Sequence, residues 1–231
     1  MTTSTIVVTV LAAMAGAAVT PIASRVIKET PPDPEDDPQP IPQFGPWLAR
    51  RRLLAPLLAL VAGAVAARTG AHPEVAAHVV VGVGLVVLSV IDLDLFLLPK
   101  RLVYPLLAAT AALLGVAAVA DGDGSALKRA LVASLAAWGA LLVLHIISPA
   151  GMGFGDVRLA ALIGLDLGWL GAPEVVLGLF AGFILAAVVG LLLLATRKRG
   201  RSDAVPFGPF LAAGTIFVLV GGDALAGLTR G

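Results

Sequence analysis

Residues 174–195 have the sequence EVVLGLFAGFILAAVVGLLLLA, and this apolar run decides the class of fold. Its length matches the roughly 20 residues that a helix needs to cross a hydrocarbon core. Similar blocks of Ala, Leu, Val and Gly recur along the chain, in which 58% of the 231 residues are hydrophobic and 13% are charged. Soluble domains carry about 25% charged residues. We therefore expect an all-α, polytopic transmembrane helical bundle.

The apolar blocks predict about eight spans in a single membrane domain, residues 1–231. A short separation around Gly171, Ala172 and Pro173 divides the sixth span from the seventh. The predicted spans lie near residues 4–24, 53–68, 76–97, 102–120, 127–148, 156–172, 174–195 and 207–226.

The basic residues predict the orientation of these spans. The first apolar block lacks basic residues before it and is followed by Arg25 and Lys28, which favours a retained span with its N-terminus outside. Of the 16 Lys and Arg residues, four then lie outside and the rest lie inside, as cytoplasmic loops prefer. The inner set comprises Arg25, Lys28, Arg50, Arg51, Arg52, Lys100, Arg101, Arg158, Arg197, Lys198, Arg199 and Arg201.

Between the first two spans, residues 29–46 have the sequence ETPPDPEDDPQPIPQFGP. A stretch so rich in proline and acid buries too little apolar surface to fold alone, which predicts a cytoplasmic linker. The chain has no cysteine, which excludes disulfides, thiol chemistry and cysteine-bound zinc. A net charge of +1 gives no indication of nucleic-acid binding, and we expect no nucleic-acid partner.

Ionisable residues within or beside a span are costly and therefore mark candidate functional sites. Six such residues stand out. In the predicted topology the cytoplasmic face is approached by Asp92, Asp94, His145 and Asp156, and the outer face by Asp166 and Asp223.

Two aspartates that meet at one membrane depth suggest aspartyl-protease chemistry. The ionised carboxylate takes a proton from water, the protonated one donates to the scissile carbonyl, and close like charges make the pair share one proton. Asp92 and Asp94 lie about 200° apart around a helix, so only one of them can face a given partner helix. Helix geometry leaves the choice between them open.

The segment Gly151–Asp156, with the sequence GMGFGD, places Asp156 at the start of a predicted helix. The helix dipole at that position favours a carboxylate, whereas burial favours the neutral acid. A phosphate-binding loop is the weaker interpretation, because no strand precedes the glycines and no Lys-Ser/Thr pair follows them.

Three blocks resemble the motifs of type IV prepilin peptidases, a family of membrane aspartyl proteases of the GxGD kind. The blocks are IDLDLFLLP at 91–99, GMGFGDVRLAALIGLDLGW at 151–169 and VPFGPF at 205–210. The resemblance covers a peptidase core of about residues 76–220. By this comparison Asp92, six residues before Pro99, matches the first catalytic aspartate, and Asp156 after Gly153 and Gly155 matches the second. Only the resemblance identifies Asp92, rather than Asp94, as the catalytic aspartate. We assign a supporting role to Asp94.

The resemblance implies an endopeptidase, without metal or cofactor, that removes a short cytoplasmic leader from pilin or pseudopilin precursors. It implies an enzyme of the bacterial inner membrane with its active site at the cytoplasmic face. Full-length members carry two Cys-x-x-Cys pairs between the first spans. This chain has none, so we expect a short form without N-methyltransferase activity.

Several of these residue roles, and the function itself, have an alternative interpretation. Arg158 either binds acidic groups of the substrate or anchors its helix at the interface. The segment comprising Pro206, Phe207, Gly208 and Pro209 either lines the active-site cavity and contacts substrate or simply starts the last helix. For the whole protein, the alternatives are a proton-coupled transporter that uses interfacial acids, or a non-catalytic membrane scaffold.

Overall fold

A computed structural model describes residues 2–29, 51–122, 124–149, 151–195 and 205–229. Within those ranges the chain is all-α, as predicted, with no strand. The predicted linker lies outside the described residues, except for Glu29. The helices are α1 (Thr3–Glu29), α2 (Arg51–Thr69), α3 (Val75–Leu95), α4 (Lys100–Asp121), α5 (Ser125–Ile147), α6 (Phe154–Leu170), α7 (Ala172–Ala195) and α8 (Gly208–Thr229).

Four of the described helices, α3, α4, α5 and α7, are long and apolar enough to cross a membrane. They indicate an integral membrane protein. Shorter apolar stretches occupy parts of α1, α2 and α8, and α6 has 17 residues, so the count of eight spans stays a prediction.

Helix α6 forms the centre of the bundle. Every residue from Asp156 to Trp169 is buried, because α5, α4, α7 and α8 all pack against this helix. By contrast, α5 and α7 expose apolar side chains such as Val132 and Leu191, as expected for helices that face lipid.

Small residues allow α5 and α6 to approach closely. Gly164 of α6 packs against the backbone of Ala133 and the side chain of Ala137, and the Ser134 hydroxyl donates to the Ala161 carbonyl at 2.7 Å. At the far end of α6, Arg129 donates to the terminal carbonyls of Gly168 and Trp169. Such contacts complement the negative end of the helix dipole and hold α6 in place.

Candidate active site

Asp92 and Asp156 lie at the same end of the bundle. Asp92 is three residues before the end of α3, and Asp156 is the third residue of α6. Their exposed fractions are 5% and 7%, and the two carboxyl groups are close enough to interact electrostatically. The structure thus brings together the two aspartates on which the protease hypothesis depends.

The start of α6 holds the Asp156 carboxyl group. Gly153 is the N-cap residue of α6, and its backbone N–H donates a hydrogen bond to the Asp156 side chain. An acidic side chain three residues after the N-cap commonly makes this bond and satisfies a free N–H of the first turn. The glycine segment therefore fixes the carboxyl group against its own helix.

The start of α8 holds the Asp92 carboxyl group. The Gly208 N–H donates to Asp92 Oδ2 at 3.0 Å. Gly208 is the first residue of α8, so Asp92, like Asp156, accepts a backbone N–H at the positive end of a helix. Within the segment Pro206–Pro209, Gly208 therefore contacts Asp92. A contact between this segment and substrate stays a prediction.

Leu98 joins these segments. A β-carbon on Gly155 would lie 2.8 Å from Leu98 Cβ, and one on Gly208 would lie 3.2 Å from Leu98 Cδ1. The chain reaches Leu98 through Phe96, which ends α3 with a left-handed φ of 54° and donates its N–H to the Asp92 carbonyl. Pro99 then starts α4. The glycines give the three motif segments room to meet around one leucine.

Asp94 is only partly buried, whereas Asp92 is buried. This difference follows from their separation of about 200° around α3. The geometry therefore distinguishes the two aspartates that helix periodicity alone left equivalent. A supporting role for Asp94 stays a prediction.

Arg158 lies among aromatic rings. Its guanidinium carbon is 4.7 Å from the centroid of Phe154 and 5.7 Å from that of Tyr104, and 8% of the residue is exposed. Such cation–π contacts hold the first turn of α6 against α4. A contact between Arg158 and substrate stays a prediction. Phe207 packs against Phe183 of α7, with ring centroids 4.8 Å apart.

His145, one of the ionisable candidates near the predicted cytoplasmic face, contacts the loop before α6. Its Nδ1 lies 2.7 Å from the Met152 carbonyl oxygen, to which it donates. Its ring also meets Phe154 edge-on, with centroids 5.6 Å apart. His145 therefore fixes the loop that leads to Asp156. Its position seven residues before Met152 is the only signal in the sequence for this contact.

Asp166 does not join the aspartate pair. It is fully buried near the opposite end of α6, where its Oδ1 lies 2.8 Å from His78 Nδ1 of α3. The position of Asp166 away from the site was predicted from the sequence, whereas His78 was not among the candidate residues. An isolated histidine near the start of an apolar span gives no indication of its partner, which lies 88 residues further along the chain.

A comparison with protein-family models matches residues 79–194 to the type IV leader peptidase family. Among curated proteins, the chain is similar to the prepilin leader peptidase/N-methyltransferase of Stutzerimonas stutzeri, with 33% identity over 71% of this chain and 56% of the relative. The protein of that name from Aeromonas hydrophila is 33% identical over 78% and 61% of the respective chains. The one from Pseudomonas putida is 36% identical over 73% and 58%.

The matched region therefore spans between half and two thirds of the length of these relatives. No solved structure matches the chain. The family match includes both Asp92 and Asp156 and ends with α7.

Proposed function

We propose, since this chain belongs to the type IV leader peptidase family, that it is an aspartyl endopeptidase that cleaves leaders from pilin-like or pseudopilin precursors. The observation that carries the proposal is the pair of buried carboxyl groups of Asp92 and Asp156, which lie at the same end of the bundle, close enough to interact electrostatically, each beside a backbone N–H at the start of a helix.

The chemistry needs one proton shared by the pair. The ionised carboxyl group takes a proton from a water molecule, whose oxygen attacks the scissile carbonyl carbon. The protonated group donates its proton to the carbonyl oxygen, which gives a neutral tetrahedral diol. Collapse of the diol breaks the C–N bond, and the amine leaves with the proton of the aspartate that had deprotonated the water. The other aspartate takes a proton from a diol hydroxyl, which restores the singly protonated pair, and no bond to the enzyme forms. In each aspartate, one carboxyl oxygen accepts the backbone N–H of the helix start, which leaves the second oxygen for this proton exchange.

An apolar groove beside the pair supports a membrane-held substrate. It has a volume of about 840 Å³ and lies between α2, α3 and α8. Leu93 and Pro209, which line one end, each follow a residue of the Asp92–Gly208 hydrogen bond, and Val220 lines the groove further along α8. From Pro209 to Val220 the groove follows α8 for about 16 Å. We infer that an apolar substrate helix lies here and that its polar leader extends past the carboxyl groups.

We further propose that the active site faces the cytoplasm and that the protein resides in the bacterial inner membrane. The distribution of Lys and Arg supports this orientation. The names of these relatives include an N-methyltransferase activity. Because this chain has no cysteine between its first two helices, we propose peptidase activity alone.

A proton relay across the membrane receives less support from the structure. Such a relay needs polar groups along the path between the two ends. Between His78 and Asp92, α3 carries a single polar side chain, Ser89, whose hydroxyl donates to the Leu85 carbonyl of the same helix.

Co-expression with a candidate pilin precursor, followed by a gel-shift assay for the mature form, tests the proposal. Wild-type protein should convert the precursor, whereas Asp92→Asn and Asp156→Asn should each abolish conversion. Asp94→Asn is the matched control and should have a milder effect. Conversion by both Asn variants of the pair would show that these aspartates are not the catalytic groups.

A further inference from the structure

A second buried polar pair connects the two helices that carry the candidate catalytic aspartates. His78 of α3 and Asp166 of α6 are 1% and 0% exposed, and His78 Nδ1 lies 2.8 Å from Asp166 Oδ1. The proteolytic mechanism uses neither residue. Glu74, one turn before His78, is the other charged group that acts on this histidine.

His78 lies on nearly the same side of α3 as Asp92, whereas Asp166 lies on the face of α6 next to that of Asp156. His78 precedes Asp92 by 14 residues, which is about 21 Å along a helix and about 40° around it. Asp166 follows Asp156 by ten residues, which is about 15 Å and about 80°. Helices α3 and α6 are therefore joined by a hydrogen bond at one end and carry the interacting Asp92 and Asp156 at the other.

Little else joins these two helices directly. Among the described residues, α6 packs mainly against α5, and α3 packs mainly against α2, α8 and α4. The direct contacts between α3 and α6 are sparse. Helices α4 and α8 pack against both α3 and α6, and the His78–Asp166 hydrogen bond adds a direct link between α3 and α6.

Stability alone does not account for the pair. Two buried charges lose hydration, and apolar residues of similar volume often serve the fold as well or better. Moreover, His78 Nε2 and Asp166 Oδ2 are buried without a hydrogen-bond partner among the described residues. A hydrogen bond fixes both the distance and the angle between two groups, which apolar contact does less well.

We propose that His78 and Asp166 are positioning residues that fix α3 against α6 and thereby set the separation of the Asp92 and Asp156 carboxyl groups. This inference rests on the proposed proteolytic function. Proton transfer through a carboxyl pair depends on the distance between the two groups, and a misplacement of about 1 Å can reduce a rate about 100-fold.

Four variants separate positioning from stability. His78→Leu leaves Asp166 buried without its partner, and His78→Leu/Asp166→Leu removes both polar groups. His78→Asn is the conservative variant, because its amide nitrogen occupies nearly the place of Nδ1 and can donate to Asp166. Thr215→Val is the matched control, since it removes a buried hydroxyl of α8 that bonds only within its own helix.

For the purified enzyme, the double leucine variant should melt close to the wild-type temperature while kcat falls about 10- to 100-fold at unchanged KM. His78→Asn and Thr215→Val should keep kcat within a few-fold. Wild-type kcat in a well-folded double leucine variant would overturn the proposal. If the double leucine variant does not fold, His78→Asn is compared with His78→Gln, whose nitrogen mimics Nε2 instead of Nδ1. A kcat near wild type in His78→Asn and a reduced kcat in His78→Gln would support the proposal, and equal kcat values would contradict it.

A distance measurement keeps this inference separate from the proteolytic one. Because the chain has no cysteine, spin labels can be attached at Leu95→Cys, which ends α3, and Met152→Cys, which precedes α6. The label separation should change or broaden in the double leucine variant and stay unchanged in Thr215→Val. An unchanged separation contradicts the positioning role, whereas a wild-type enzyme that cleaves no precursor contradicts the proposed function alone.

Discussion

At the scale of single residues, the central feature is the symmetry with which two acids are held. Asp92 accepts the Gly208 N–H at the start of α8, and Asp156 accepts the Gly153 N–H at the start of α6. Helix N-termini favour charge on a carboxyl group, whereas burial and the neighbouring acid oppose it. These opposing effects suit a pair that holds one proton between two sites.

A shared proton predicts a bell-shaped dependence of cleavage on pH. As the pH falls, the ionised member gains a proton and can no longer accept one from water. As the pH rises, the protonated member loses the proton that it must donate. Initial rates measured at a series of pH values in detergent should therefore fall on both sides of a maximum. A rate that rises to a plateau without an alkaline fall would indicate a single titrating group.

The close approach of Gly208 to Asp92 gives a second prediction. A β-carbon at Gly208 would lie 2.7 Å from Asp92 Oδ2, so Gly208→Ala must displace the carboxyl group. We expect kcat to fall about 10- to 100-fold, because the acid leaves its working position. Gly115→Ala in α4 is the matched control, since a β-carbon there meets no atom within 4 Å. Similar rates for both variants would contradict the assigned position of Asp92.

Part of this site could be predicted from the sequence. The glycine segment predicted that Asp156 starts a helix, because glycines preceded an apolar run, and the structure has this arrangement. Helix periodicity could not choose between Asp92 and Asp94, since either can face a partner. The Gly208 donor and the Leu98 contact depend on packing between distant segments. Nothing in local periodicity predicts which helix starts meet.

At the scale of elements, the close approach of α5 holds the middle of α6 in the bundle. A β-carbon on Gly164 would lie 2.6 Å from the Ala133 carbonyl oxygen and 2.8 Å from Ala137 Cβ. Helices in membranes associate through such small residues because lipid provides no hydrophobic drive between them.

Gly164→Ala should therefore separate α5 from α6. Overpacking of this kind costs about 1–3 kcal/mol, which exceeds the gain of up to about 1 kcal/mol in helix propensity. Unfolding in detergent should show a lower free energy of unfolding. The control is Gly139→Ala on α5, where a β-carbon meets no atom within 4 Å, and it should leave stability unchanged or raised. Equal stability of the two variants would contradict the tight interface.

Helix positions followed well from the sequence. The predicted spans at 76–97 and 156–172 correspond to α3 (Val75–Leu95) and α6 (Phe154–Leu170). Long apolar blocks ended by glycine, proline or charge define such helices locally. The central burial of α6 did not follow, because its composition resembles that of its neighbours and only the packing of five helices around it encloses it.

At the scale of the whole molecule, the apolar groove between α2, α3 and α8 predicts a dependence on the membrane-held part of the substrate. Ala213 lines the groove, and Ala213→Trp should fill part of its volume. We expect the KM for a full-length precursor to rise at least about tenfold, because the apolar helix loses its place. A short soluble leader peptide without that helix should be cleaved as by wild type.

The control for this variant is Val132→Trp, on the exposed surface of α5 and away from the groove. Val132→Trp should leave the cleavage of both the full-length precursor and the short peptide unchanged. Equal loss of cleavage for both substrates in Ala213→Trp would indicate damage to the aspartate pair instead, and no loss with either would show that the groove does not hold the substrate.

The proposed catalysis depends on Asp92 and Asp156 acting as one unit, and a double-mutant cycle on the purified enzyme measures this directly. Cleavage rates of a purified precursor would be compared for wild type, Asp92→Asn, Asp156→Asn and the double variant. Residues that act together lose nearly all activity when either is removed. Each single variant should therefore fall to the rate of the double variant, at least about 1,000-fold below wild type. A single variant within tenfold of wild type, or losses that multiply in the double variant, would contradict the shared-proton mechanism.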